Sequence, residues 1–223
     1  DTVCRLFRRM PGVAYEGRIH EDIGASLART FGHMRVAASH MTVSHFGYVP
    51  ERIALKQKTS RNLRLLEQAM REQPEEPYYL YAFGCEFFQF GHYAQASVLF
   101  EPLLARLPER TAYAPDVWYK FAYACRQLGR ADQALQAART ALAKYPEHPQ
   151  LLELAGTLLL DDEHRVDEAY GMFVKLAETG KEDKVALPHV HMRLGSICER
   201  MFDWDQASER YVRCLEHTPA HTG

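Results

Sequence analysis

Between Pro77 and Pro219 the chain runs four times through one pattern of large apolar, small and turn-forming residues. The first unit carries Leu80, Phe83 with Gly84, Phe87, Gly91 with Tyr93, Ala96, Phe100, Leu104 and Pro108. The second aligns Trp118, Phe121 with Ala122, Cys125, Gly129, Ala134, Ala138, Ala141 with Leu142, and Pro146. The third opens at Pro149 and keeps Leu152, Gly156, Leu159, Ala169 and Phe173, but lacks a terminal proline and has a one-residue insertion in its acidic turn, Asp161 to Val166. The fourth returns to type with Leu194 and Gly195, Cys198, Trp204, Ala207, Tyr211, Leu215 and Pro219. The openings at Pro77, Pro115, Pro149 and Pro188 are 38, 34 and 39 residues apart.

Each unit predicts two antiparallel amphipathic helices. A small residue on the first helix (Gly84, Ala122, Gly156, Gly195) is expected to face one on the second (Ala96, Ala134, Ala169, Ala207) so that the helices can cross closely. Proline stops the second helix, because it has no amide hydrogen and disfavours helical backbone in its predecessor. A period near 34 residues is the signature of tetratricopeptide repeats, and the expected units are about 77–110, 115–148, 149–184 and 188–221. A generic helical bundle is the plainer alternative, but it needs apolar periodicity and no register of small residues and prolines. Upstream, Arg52 to Gln73 reads as one helix with Leu63, Leu66, Ala69 and Met70 on one face, ending at Pro74. Residues 51–76 thus form a linking helix that resembles half a repeat.

Before residue 50 the period changes. Val3 to Arg9 and Val13 to Ile19 read as strands around a turn at Met10, Pro11 and Gly12, and Arg35 to Phe46 reads as a further extended stretch. Ile23 to Thr30 reads as a short helix. So few strands cannot bury a stable core alone, so residues 1–50 are expected to be the end of a larger α/β domain.

Four short runs in this region, Arg5-Leu6-Phe7-Arg8, Tyr15-Glu16-Gly17-Arg18-Ile19-His20-Glu21, Ser44-His45-Phe46-Gly47-Tyr48 and Lys58-Thr59-Ser60-Arg61-Asn62, stand in order. In that order the chain resembles the C-terminal end of bacterial family-2 glycosyltransferases that carry tetratricopeptide repeats. The resemblance implies a GT-A fold binding a nucleotide-diphosphosugar, a divalent metal (Mn or Mg) on an Asp-x-Asp motif, and inverting transfer to a hydroxyl or a thiol. It makes Glu21 of the His20-Glu21 element the candidate general base, with Asp22 as the fallback, since such transfer needs a carboxylate within reach of the acceptor proton. It makes His45 a metal ligand, and it offers Arg5, Arg8 and Arg18 to the diphosphate, which suits arginine's planar fork. A solvated turn at His20-Glu21 and a packed His45 are the bland alternatives. Lys58, Arg61 and Asn62 read as fixing the linking helix. No Asp-x-Asp or nucleotide-binding glycines occur between Asp1 and Pro50, so the isolated chain is expected to be inactive and to need no cofactor.

The expected fold is therefore mainly α, a tetratricopeptide-repeat solenoid after a small β-rich remnant of a GT-A domain. Two functions compete: the C-terminal portion of a sugar-nucleotide-dependent glycosyltransferase whose repeats bind or present the acceptor, and a non-catalytic repeat scaffold for protein interaction. On the inner faces of the first helices Tyr78, Tyr81, Phe88, Tyr119 and Tyr123 suit an acceptor protein, extended peptide or glycan by stacking. The same rings could instead pack between helices.

Charge adds an asymmetry that the net value of -2 conceals. Residues 1–64 hold 11 Lys and Arg against 5 Asp and Glu, and the remainder holds 16 against 24. Docking of a basic module on acidic repeats and a lining for a phosphorylated ligand both fit. Acidic repeats without a basic and aromatic stripe argue against nucleic acid. No apolar run is long enough to span a membrane. The five cysteines lack CxxC spacing, and Cys85, Cys125, Cys198 and Cys214 fall at repeat positions, as in a reduced, cytoplasmic protein.

Overall fold

The computed structural model describes residues 7–17, 23–32, 58–74, 76–179 and 187–217. Their helices are α1 (Gly24–Phe31), α2 (Lys58–Glu72), α3 (Pro77–Gln89), α4 (Tyr93–Arg106), α5 (Ala114–Gln127), α6 (Ala131–Lys144), α7 (Pro149–Leu160), α8 (Val166–Thr179), α9 (Leu187–Arg200) and α10 (Trp204–His217). The chain divides into two compact units, residues 1–86 and 87–223, with the boundary inside α3.

In the second unit consecutive helices pack as a row of antiparallel pairs, each pair also touching the next. Its interior is a run of small and branched residues: Ala122, Ala134, Ala138 and Ala141, then Leu152, Phe173, Leu194 and Ile197, all essentially inaccessible. Burial of this kind is the main favourable term, about 25 cal/mol per Å² of apolar surface. Gly156 and Gly195 let rings close over the first helices. A Cβ at Gly156 would lie 2.7 Å from Cε2 of Phe173, and one at Gly195 2.5 Å from Cε1 of Tyr211. The small residues on the second helices, Ala169 and Ala207, are buried as well, but the atoms nearest these two glycines belong to aromatic rings four residues further on.

The turns inside the pairs follow one recipe. His92 N donates to Phe87 O at 2.9 Å and Arg130 N to Cys125 O at 2.9 Å, closing loops in which Gly91 (φ 76°) and Gly129 (φ 74°) take left-handed backbone. The third pair differs, as its extra residue implies: the turn holds a 3-10 segment, Glu163–Arg165, whose start is capped by Asp162 accepting from His164 N at 3.0 Å.

In the first unit Leu66 and Ala69 of α2 are buried, and Leu66 and Ala82 form a small core with Tyr78, Tyr79 and Phe83 against it. Asn62 Nδ2 donates to Glu86 Oε1 at 2.8 Å, so it ties α2 to α3. The expected β-rich remnant is not what the described part of residues 1–50 forms. Residues 7–17 contain no strand, only a turn at Pro11 and Gly12 and an isolated bridge residue at Glu16. The physical reason lies in Ser26, on buried ground in α1: its hydroxyl accepts from Ala14 N at 3.1 Å and donates to Ala14 O at 2.6 Å. At Ala14, the N–H and C=O that a neighbouring strand would have paired are satisfied by a side chain. Residues 35–46, where a further strand was expected, lie outside the described residues.

Among the described residues no helix is long and apolar enough to cross a membrane.

Candidate functional site

On α5 the residues Asp116, Tyr119, Lys120 and Tyr123 stand three and four apart and share one face. Tyr123 anchors an aromatic cluster there: its ring centroid is 5.4 Å from that of Phe88, 5.9 Å from Tyr93 and 5.9 Å from Tyr119, and Phe88 meets Tyr93 at 5.5 Å. The contacts of Phe88, Tyr93 and Tyr123 are edge-to-face and that between Tyr119 and Tyr123 is tilted, arrangements that each add about 0.5–1.5 kcal/mol beyond burial. All four rings are half-buried, so each keeps part of its surface in solvent.

Charges frame the cluster. Lys120 pairs with Asp116 one turn away and holds its ammonium 5.8 Å from the centre of the Phe88 ring. The Tyr119 hydroxyl is pushed above its ordinary pKa, first by burial and then by Tyr123, Glu153, Asp116 and Tyr93, which puts the α7 carboxylate of Glu153 within electrostatic range. Glu153 in turn lies 3.7 Å from Nε2 of His189 on α9, and both are exposed. Beside Asp116, His148 precedes α7 with its Nδ1 buried and without a hydrogen bond. Burial lowers its pKa and Asp116 opposes that shift. The face thus runs from an aromatic shelf to exposed carboxylate and imidazole groups, the composition that accepts an extended chain by stacking and end-on hydrogen bonds.

Of the groove residues expected from sequence, Phe88, Tyr119 and Tyr123 come together in the second unit. Tyr78 and Tyr81 belong to the first, where their rings lie 6.0 Å apart. Tyr93, which completes the cluster, opens a second helix. Attention to first helices alone passes over it, although its place two residues after Gly91 is visible in the sequence. Glu153 and His189, three helical positions before Gly156 and six before Gly195, were missed for want of any aromatic signal. Of the candidate catalytic and phosphate-binding residues only Arg8 is described, as an exposed side chain. Arg5, Arg18, His20, Glu21, Asp22 and His45 lie outside the described residues, among which no group of three or more His, Cys, Asp or Glu side chains is placed to hold a metal.

Cys125 and Cys198 are buried, and burial raises both thiols above their usual pKa, which suits packing rather than nucleophilic chemistry. A cavity among α8, α9 and α10 presents His191, Arg210 and Arg213. Both guanidiniums are engaged locally, Arg210 donating to the Tyr170 hydroxyl at 2.8 Å and Arg213 pairing with Glu209.

A tetratricopeptide-repeat family profile matches residues 115–158, the stretch that holds Tyr119, Tyr123 and Glu153. The chain is 35% identical over 85 residues to the SPbeta prophage-derived glycosyltransferase SunS of Bacillus subtilis (strain 168) and equally to glycosyltransferase SunS of Bacillus phage SPbeta. That match takes in 37% of this chain and spans about a fifth of the relatives' length, 19%. Among solved structures, MamA from Desulfovibrio magneticus RS-1 superposes with a TM-score of 0.62 at 19% identity, covering 78% of this chain and 93% of that one. YrrB, described as a TPR protein with an unusual peptide-binding site, superposes with a TM-score of 0.59 at 17% identity, covering 77% and 84%. The fold is a mainly helical solenoid of tetratricopeptide-repeat type, and part of the sequence is similar to a glycosyltransferase.

Proposed function

We propose that the α5 face binds an extended polypeptide and that it serves as the acceptor-recognition part of a sugar-nucleotide-dependent glycosyltransferase. The observation that carries the reading is the half-buried cluster of Phe88, Tyr93, Tyr119 and Tyr123, next to exposed polar groups on the following first helices. A peptide laid along it stacks side chains on rings that are already held by one another, so little order has to be imposed on binding. The repeat profile and the likeness to SunS support the two halves of the proposal separately.

On this reading the reaction is completed by residues 1–50 of the protein and the chain that holds its nucleotide site. Glu21, with Asp22 as the fallback beside His20, takes the proton from the acceptor hydroxyl or thiol as that atom bonds the anomeric carbon and the nucleotide diphosphate departs. Arg5, Arg8 and Arg18 would hold the diphosphate, and His45 would be a ligand of a divalent metal, Mn or Mg, which would supply positive charge for the departing diphosphate. Buried thiols favour a reducing, cytoplasmic setting.

A peptide array probed with the purified chain tests the binding half. Tyr119→Ala with Tyr123→Ala is expected to remove the bound spots while leaving the helical circular dichroism intact. An unchanged array would refute the assignment. For the catalytic half, Glu21→Gln in the full-length protein should abolish transfer and keep nucleotide-sugar binding, and His45→Ala should weaken metal-dependent nucleotide binding. Wild-type transfer by Glu21→Gln would remove the assignment of the base, and peptide binding by a full-length protein that transfers no sugar would leave the plain interaction scaffold as the reading.

A further inference from the structure

Tyr119 stands three residues before Ala122, and the same place in the next two units is held by Glu153, before Gly156, and Met192, before Gly195. Since α5 also touches α7, the row of first helices passes from a ring of the aromatic shelf to a carboxylate. Glu153 keeps about half of its side chain in solvent, and its neighbour Nε2 of His189 lies 3.7 Å away, longer than a hydrogen bond. No Lys or Arg among the described residues comes within ion-pair distance of it.

The cations of this face leave that carboxylate uncompensated. Asp116 and Lys120 neutralise each other one turn apart, and Lys120 holds its ammonium over the Phe88 ring, on the α3 side of the shelf. Arg126 lies seven residues beyond Tyr119 on α5, about 10 Å along the helix axis. The Tyr119 hydroxyl reports the balance. Burial raises its pKa first, and Tyr123, Glu153, Asp116 and Tyr93 all raise it further, with no cation among the described residues lowering it. At His148, burial lowers the pKa and Asp116 opposes that shift, again favouring positive charge. The field at the Tyr119 end of the shelf is therefore negative, and the face of an aromatic ring adds its own attraction for a cation.

We propose that the α5 face selects a basic acceptor segment, an extended polypeptide in which a Lys or Arg stands beside the side chains that stack, with its cation between the Tyr119 ring and the Glu153 carboxylate. This rests on the reading of that face as an acceptor site and narrows the acceptors to one charge class. A Glu or Asp in the same place of the segment would meet Glu153 as a like charge, so the site rejects acidic segments as well as attracting basic ones.

The test uses synthetic peptides of about ten residues, made of Gly and Ser around a pair of Tyr, with Lys, Arg, Gln or Glu at each neighbouring position in turn. Binding to the full chain is read by fluorescence anisotropy at about pH 8, where an imidazole carries little charge. At low salt the best Lys or Arg peptide is expected to bind about tenfold more tightly than its Glu counterpart, with Gln between them, and the gap should close as salt rises. Glu153→Gln should narrow the gap and Glu153→Lys reverse it. Glu178→Lys, the same change in net charge at an exposed position of α8, should leave it as it was. Tyr119→Ala with Tyr123→Ala should abolish binding of every peptide, whatever its charge. Peptides that need the two rings but bind alike whatever their charge, or a gap that Glu178→Lys shifts as much as Glu153→Lys does, would overturn the proposal and leave the acceptor face standing. If no peptide needs the rings, the acceptor reading falls and the proposal falls with it.

Discussion

A methyl group added at Gly156 would stand 2.7 Å from Cε2 and 2.9 Å from Cδ2 of Phe173, a ring that is 1% exposed and closed in by Leu152, Leu176 and Leu194. The ring has nowhere to go, so Gly156→Ala is expected to cost about 1–3 kcal/mol by overpacking. At Gly195 the added methyl meets Tyr211 at 2.5 Å, but that ring is only half-buried and can swing outward, so Gly195→Ala should cost clearly less. Denaturant titration of the two variants decides this, and equal losses would show that both rings are fixed. His148 offers a second prediction at this scale. Burial lowers its pKa in the folded protein, so as pH falls below the unfolded value of about 6.5 the unfolded chain takes up the proton first and stability drops. Thermal melts between pH 7.5 and 5.5 should therefore fall less for His148→Gln than for the natural protein, whereas an identical fall would mean that the imidazole is solvated.

Elements follow from how their ends are made. Asp203 precedes α10, accepts from Gln206 N at 3.0 Å and, through its other oxygen, from Gln206 Nε2 at 2.6 Å, so it caps that helix. Asp203→Ala is expected to cost about 1 kcal/mol and to fray α10 before the rest, measurable as faster amide exchange confined to that helix. The helical character from Pro77 onward was legible because proline and glycine act locally: the one withholds a donor and the other permits positive φ, whatever lies around them. The short helix of residues 24–31 was legible for the same reason. The strands expected at Val3 to Arg9 and Val13 to Ile19 do not form in their described part, residues 7–17, because alternation of apolar and polar residues says nothing about which partner satisfies the backbone, and at Ala14 Ser26 does so from α1. The site was half legible. Aromatic spacing along α5 pointed to Tyr119 and Tyr123, while Tyr93 enters from α4 and Glu153 from α7, contributions that only the packing of successive pairs assembles.

At the scale of the whole molecule, the second unit is a row of helix pairs that presents an aromatic face on α5. That face is proposed to take an extended acceptor, and the proposal predicts a division of labour between binding and chemistry. Residues that hold the acceptor far from the reacting atoms contribute to its binding rather than to turnover. The most direct test is steady-state sugar transfer by the full-length protein to a polypeptide acceptor, comparing the natural sequence with Tyr119→Ala and Tyr123→Ala together. The account predicts that KM for the acceptor rises at least about tenfold, a loss of about 1.4 kcal/mol, with kcat and nucleotide-sugar binding nearly unchanged. An unchanged KM, or a loss confined to kcat, would contradict it.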